Sequence, residues 1–361
     1  MEFKNNYVAI MAGGIGSRFW PESRSQYPKQ FLDILGTGKS LIQWTYHRFK
    51  NICPPENIYF ITNHSYINTL KDQIPEVADA NIISEPYRKN TAPCAAYFAH
   101  KMMALNPDAN IILSPADHLI MDERAFEETC LTALSFVAKH DALLTLGIKP
   151  TRPDTGYGYI QYNVAEELDK VYRVRTFTEK PSLELAQTFL KSGDFLWNSG
   201  IFVWNVKTIM NALEKHLPEM HEVFLQAADV YNTPAEVAVI NDLYAHCTNI
   251  SIDYGIMEKA KNVYVIPSYF GWCDLGTWES AYENSDKDYL GNAVYGNNVM
   301  VIDASECMIK APAEKLVVLQ GLEKFIVIDT QDVLLICERN REQQIKEYVA
   351  EVKRNKGEKF L

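Results

Sequence analysis

Short, almost wholly apolar runs alternate with amphipathic stretches along the first half of the chain. The runs Tyr7–Ala12, Asn57–Thr62, Asn81–Ser84, Asn110–Ser114 and Ala142–Ile148 predict strands, and Ser40–Phe49, Ala92–Leu105 and Ala125–Lys139 predict helices. Strands that lack polar alternation are covered on both faces, and strands separated by helices pair in parallel. The predicted fold is therefore α/β: a doubly wound, mostly parallel, Rossmann-like sheet whose ligands sit beyond the carboxyl ends of its strands. From Tyr157 to Trp204 the runs lengthen and become β-rich, as at Tyr172–Thr178 and Ile201–Trp204. Helical patterns follow at Val206–Lys215, Ala235–Ala245 and Tyr254–Ala260. After Gly291 short runs (Val299–Ile302, Leu316–Leu319, Phe325–Ile328 and Val333–Cys337) return roughly every ten residues, with Gly, Asn and Asp between them. They predict a small β-rich, β-helix-like or barrel-like domain, closed by an amphipathic helix over Arg341–Lys353. The expected division is a large domain over 1–290 and a small one over 291–361.

Composition narrows the function classes. A net charge of −11 over 361 residues argues against a nucleic-acid-binding surface, which needs a basic stripe. No apolar run reaches the roughly 18 residues of a membrane span, and Tyr7–Ala12 leads into glycines rather than a cleavage site. Seven cysteines at long, irregular spacing form no C-x-x-C pair, so reduced thiols in a cytoplasmic protein are expected, without structural zinc. An acidic chain can still bind a small polyanion through local cations, backbone N–H groups and a divalent metal.

The first strand ends in such a place. Ala12-Gly13-Gly14-Ile15-Gly16-Ser17-Arg18 clusters glycines where backbone N–H groups can reach a phosphate, and Arg18 adds a planar fork of donors. Lys29 follows in Pro28-Lys29-Gln30-Phe31. A tight strand-to-helix turn without ligand also explains the glycines. The third glycine of the dinucleotide fingerprint G-x-G-x-x-G is missing, as is any Walker loop.

Taken together, Gly-Gly-x-Gly-x-Arg, the Phe-Trp-Pro that includes Pro21, and Pro-Lys-Gln-Phe resemble the signature of sugar nucleotidyltransferases, in the variant of the mannose-1-phosphate guanylyltransferase branch. The resemblance extends over about the first 290 residues. It implies GTP and mannose 1-phosphate as substrates and Mg²⁺ as cofactor. The Ala12–Ser17 loop and Arg18 would hold phosphates, and Lys29 would act at the α-phosphate. In Glu85-Pro86-Tyr87-Arg88-Lys89-Asn90-Thr91-Ala92, the implied base-binding loop, Glu85 can accept both guanine donors. Asn90 or Thr91 can equally be a helix cap. Asp117, at the end of the fourth strand, and Asp274 are the implied metal ligands, hard oxygens of the kind Mg²⁺ prefers. His118 is expected to hydrogen-bond rather than catalyse.

The implied sugar side comprises Tyr157 and Gly158, Glu179 and Lys180 in Phe-Thr-Glu-Lys-Pro, Asn198 and Ser199, and Asp253. Glu179 would hold sugar hydroxyls and Lys180 the sugar phosphate, whereas a Glu-Lys pair out of context is a solvated couple and Asp253 an N-cap. The implied reaction needs no general base, because the attacking phosphate is already an anion. About seventy residues follow position 290, and no histidine follows His246. A fused His-rich cupin of the kind some relatives carry is therefore not expected, and the chain is read as monofunctional. A synthase for another manno-configured sugar, such as heptose 1-phosphate, stands as the alternative. A nicotinamide oxidoreductase has the wrong glycine spacing, and a non-catalytic homologue would have lost Arg18, Lys29, Asp117 or Asp274. The C-terminal β-rich unit is a candidate homodimer surface.

Overall fold

The computed structural model describes residues 4–361. Its strands, in chain order, are β1 (Asn6–Ala12), β2 (Ile58–Asn63), β3 (Ile82–Glu85), β4 (Asn110–Pro115), the two-residue β5 (Leu119–Ile120), β6 (Leu143–Ile148), β7 (Tyr159–Leu168), β8 (Val171–Thr178), β9 (Phe195–Asn205), β10 (Val263–Ser268), the two-residue β11 (Trp272–Cys273), β12 (Ala293–Tyr295), β13 (Val299–Ile302), β14 (Met308–Lys310), β15 (Val317–Gln320), β16 (Phe325–Asp329) and β17 (Leu334–Glu338). The helices are α1 (Leu41–Phe49), α2 (Ile67–Gln73), α3 (Thr91–Leu105), α4 (Glu123–Val137), α5 (Leu183–Ser192), α6 (Val206–His216), α7 (Pro218–Leu225), α8 (Glu236–Tyr244), α9 (Trp278–Glu283) and α10 (Ile345–Lys356).

The chain divides into two compact units, neither continuous in sequence: 1–13, 45–116 and 120–272 form one, and 14–44, 117–119 and 273–361 the other. The first unit holds a nine-stranded sheet of order β3-β2-β1-β4-β9-β6-β10-β8-β7. The early strands pair in parallel, as their pattern predicts. β9 then inserts antiparallel between β4 and β6, while β10 pairs in parallel with β6. The sheet is thus mixed: β7 and β8 extend it as an antiparallel ribbon. Both faces of β1 are buried, and α3, α6, α7 and α8 pack one continuous core with Tyr7, Ala9, Ile61, Phe202 and Trp204. Within that core lies an ion pair, Lys101 to Glu236 at 2.6 Å, with side chains 8% and 7% exposed. Tyr97 Oη and the Asn232 N–H also donate to Glu236.

The second unit packs Phe19, Trp20, Leu275, Trp278, Met308, Ile326 and Ile345 into its own core. The Trp278 indole donates to the Trp20 carbonyl at 3.2 Å. Ala293 stands beside Met308, and Met308 beside Ile326, in parallel register, while β13 and β15 form a second parallel ladder. Cys307, Ile309, Leu319 and Val327 fill the interior. This is stacked, β-helix-like packing.

Tyr254–Ala260 differs from expectation: it holds one wide π-type turn over Asp253–Met257, whose opening Asp253 is drawn into other hydrogen bonds described below. Helices α2, α5, α7 and α9 and strand β10 lie outside the predicted elements; α2, α7 and α9 are too short to stand out by periodicity. Among the described residues no helix is long and apolar enough to cross a membrane.

Removing one partner of a buried ion pair strands the other charge. Glu236→Ala is expected to lower unfolding stability by about 3–5 kcal/mol in urea titration; a loss below about 1 kcal/mol would show the pair to be solvated.

Candidate active site

In the second unit the glycine loop is shaped around a lysine. Gly16 adopts φ +66°, and a side chain there would begin 2.4 Å from Lys29 Cβ, so only glycine lets the two segments touch. The Lys29 side chain is 5% exposed. Its Nζ donates to Asp117 Oδ2 at 2.9 Å and to the Asp274 main-chain oxygen at 2.6 Å. Burial pushes the Asp117 carboxyl up, but the charges of Lys29 and His118 and the Lys29 hydrogen bond outweigh it and hold it below its ordinary value. Asp274 Oδ1 accepts from the Gly276 N–H at 3.1 Å. Between them Leu275 sits at φ +44°, a strained conformation held by its wholly buried side chain. The two predicted metal ligands therefore meet one ammonium, Asp117 through its carboxylate and Asp274 through its main-chain carbonyl only. Arg18 Nε is buried without a hydrogen-bond partner, and no atom lies within 4 Å of where a Gly14 side chain would begin. The Ser17 carbonyl caps its own turn through the Trp20 N–H.

Among the described residues no three His, Cys, Asp or Glu groups form a metal cluster. Two hard carboxylates suit an ion that keeps its waters and draws further ligands from phosphate, which is the habit of Mg²⁺. Lys29 already supplies one positive charge at Asp117.

In the first unit Ala12 ends β1 buried, its carbonyl accepting from Thr62 Oγ1 at 2.9 Å. Glu85 ends β3 beside Gly13: its Oε2 lies 3.6 Å from where a Gly13 side chain would begin. Its Oε1 accepts from the Tyr244 hydroxyl. Burial pushes the Glu85 pKa up to about 7, opposed by the Tyr244 bond. Asn90, at φ +67°, caps α3 by accepting from the Thr91 N–H at 3.0 Å. Thr91 Oγ1 accepts from the Ile252 N–H, and the Ala92 N–H donates to the Ile250 carbonyl. Thr91 and Ala92 thus fasten the helix start to 250–252, and Glu85 is the group of this loop with chemistry to offer a base.

The predicted sugar residues also assemble in the first unit. A side chain on Gly158 would begin 2.4 Å from Glu179 Oε2, so glycine is what admits the carboxylate. Glu179 Oε1 binds Lys180 Nζ, while Oε2 is buried and has no hydrogen-bond partner. Burial pushes Lys180 down, but the bond to Glu179 and its charge, with that of Asp253, raise it overall. Asn198 Oδ1 accepts from Thr145 Oγ1 at 2.8 Å, and Nδ2 donates to Asp253 Oδ1 at 2.8 Å. Asp253 is pushed up by burial and by the charge of Glu179. Asn198 therefore orients Asp253. Ser199 is buried, its hydroxyl accepting from the Ile201 N–H. The Tyr157 and Gly158 carbonyls accept from the Lys180 and Asn198 N–H groups, and the Tyr157 ring packs on Trp197 and Trp272.

Sequence reasoning missed Tyr244, Thr145 and Glu258, whose Oε1 accepts the Glu179 N–H at 2.8 Å. Thr145 carried a signal, a lone hydroxyl within the apolar run Leu143–Ile148. Tyr244 carried none, since it reads as an apolar position of a helix.

A family model described as Nucleotidyl transferase matches residues 7–289, and one described as MannoseP isomerase/GMP-like beta-helix domain matches 296–352. This chain belongs to the nucleotidyl transferase family and is an enzyme of that class. Among its relatives are mannose-1-phosphate guanylyltransferases. That of Salmonella montevideo is 37% identical over 95% of this chain and 73% of its own length. That of Klebsiella pneumoniae is 34% identical over 97% and 74%. The crystal structure described as a mannose-1-phosphate geranyltransferase from Thermus thermophilus superposes with a TM-score of 0.85 at 30% identity, covering 97% of this chain and 99% of that one.

Because its folded pKa is raised, Glu85 binds a proton more tightly folded than unfolded. Its contribution to stability is complete below about pH 4.5 and is lost as pH rises through about 7. Denaturant titrations at pH 5 and pH 8 are expected to show wild type losing on the order of 2–3 kcal/mol more than Glu85→Gln over that interval. Equal losses would mean that Glu85 ionises at its ordinary pH.

Proposed function

We propose that this chain transfers GMP from GTP to α-D-mannose 1-phosphate, yielding GDP-mannose and pyrophosphate, in the cytoplasm. The observation that carries the reading is the buried Lys29 ammonium held by Asp117 and the Asp274 carbonyl, with the Lys29 stem against Gly16 of the glycine turn. A pre-set positive charge against a glycine turn is what phosphoryl transfer requires, since its barrier is largely charge repulsion and alignment. The relatives' name, mannose-1-phosphate guanylyltransferase, supports a guanylyl group passed to mannose 1-phosphate, and seven free thiols support a reducing compartment.

The sugar-phosphate oxygen attacks the α-phosphorus in line and pyrophosphate leaves. The nucleophile is anionic, so no side chain need take a proton. The Gly13–Ser17 backbone and Arg18, whose Nε is unpartnered, bind the β- and γ-phosphates. Lys29 donates to the α-phosphate, where charge grows. Asp117 and Asp274 would hold Mg²⁺, which when bound neutralises phosphate charge. Glu85 accepts the guanine N–H groups, with Asn90, Thr91 and Ala92 shaping its loop. Glu179 Oε2 accepts a sugar hydroxyl, Lys180 binds the sugar phosphate, and Tyr157, Gly158, Asn198, Ser199 and Asp253 hold those two in place.

Pyrophosphate release with Mg²⁺ is expected to be fastest for GTP with mannose 1-phosphate. Lys29→Ala should lower kcat on the order of 10²–10³-fold, and Glu179→Gln should raise KM for mannose 1-phosphate while leaving KM for GTP in place. Near-native turnover by the lysine variant, or a preference for heptose or glucose 1-phosphate, would refute the assignment.

A further inference from the structure

We propose that Tyr244 is a positioning residue for base selection, its buried hydroxyl fixing the Glu85 carboxylate so that the oxygen beside Gly13 is presented to the purine N–H groups. This rests on the reading of Glu85 as the group that accepts from guanine.

Tyr244 is the last residue of α8 and is wholly buried. Its hydroxyl donates to Glu85 Oε1, while Oε2 lies beside Gly13. The phenol cannot drift, because both ends of its helix are tied down. At the start of α8, Glu236 is bound by Lys101, Tyr97 and Asn232. Past its end, Lys89 Nζ donates to the Ala245 carbonyl and, at 2.7 Å, to that of Cys247. Ile250 and Ile252 then bind Ala92 and Thr91. The segment following Tyr244 is thus stitched to Lys89, Thr91 and Ala92 of the base loop, and the Tyr244–Glu85 bond is the point at which this brace reaches the reading group itself.

The chemistry follows from donor and acceptor count. A carboxylate offers only acceptors, and guanine presents two donors, N1–H and the 2-amino group. Adenine presents an acceptor at N1, which an ionised carboxylate repels. A protonated Glu85 would forfeit that discrimination. A donor on Oε1 favours the ionised form and fixes the side-chain torsion. The groups facing this pair are Tyr244 from α8 and Cys94 from α3, with Cys247 beyond Tyr244. Burial raises all three, Cys247 to about 11 and the others further, so none of them titrates between pH 6 and 9.

The test measures kcat/KM for GTP, ITP and ATP from pH 6 to 9 in wild type, Tyr244→Phe and Glu85→Gln. ITP lacks the 2-amino group. Tyr244→Phe is expected to lower kcat/KM for GTP about tenfold near pH 7, to move the midpoint of the GTP profile to higher pH, and to narrow the GTP/ATP ratio. Its kcat at saturating GTP and its KM for mannose 1-phosphate should stay near wild type. A uniform loss at every pH, or an unmoved midpoint with an unchanged GTP/ATP ratio, overturns the proposal. Should Tyr244→Phe fail to fold, 3-fluorotyrosine placed at position 244, a stronger donor, should move the midpoint to lower pH, and no movement overturns it. If Glu85→Gln alters neither discrimination nor pH profile, the assignment of Glu85 as base reader falls as well. If only the tyrosine variants are silent, that assignment stands and this inference alone fails.

Discussion

A lysine ammonium buried against protein is costly unless anions or carbonyls surround it. Lys29 meets that condition through Asp117 and the Asp274 carbonyl, and much of the second unit follows from keeping it there. Gly16 must lack a side chain because Lys29 occupies the space. Leu275 accepts a left-handed backbone so that Asp274 can turn its carbonyl to the ammonium, and its side chain is locked among Phe19 and Trp278. Stacked strands and aromatic packing supply the rigidity, and rigidity is what gives a fixed charge its catalytic value.

The first unit solves a complementary problem. Glu179 and Asp253 bring two carboxylates together with one lysine. Asp253 responds by holding its proton more tightly, and Glu179 keeps a buried oxygen with nothing to accept from. An unsatisfied buried acceptor costs stability. A hydroxyl-bearing ligand would remove that cost, so the site is built for the bound state. Glu85 is another carboxylate lifted by burial, with the Tyr244 hydrogen bond opposing the shift.

The strands were legible as short apolar runs, as at Tyr7–Ala12, and the helices as longer segments, as at Ala92–Leu105. The insertion of β9 between β4 and β6 was not, since strand order and direction are set by long-range pairing rather than by local pattern. The grouping of 14–44 and 117–119 with 273–361 carries no local signal either, because it is a property of long-range contacts. At the site, the family resemblance, rather than the residue types alone, pointed to Lys29, Glu85 and Glu179. It did not show which polar atoms the fold leaves without a partner, such as Glu179 Oε2, nor the backbone hydrogen bonds of Thr91, Ala92 and Ser199 or the hold of Asn198 on Asp253.

On the function proposed above, Asp117 and Asp274, which both reach Lys29, would hold the metal that accompanies the nucleotide. Anomalous diffraction from crystals grown with GTP and Mn²⁺ tests this directly. The account predicts a manganese peak ligated by both carboxylates. A peak bound to the triphosphate alone, with neither aspartate in its coordination sphere, would contradict it.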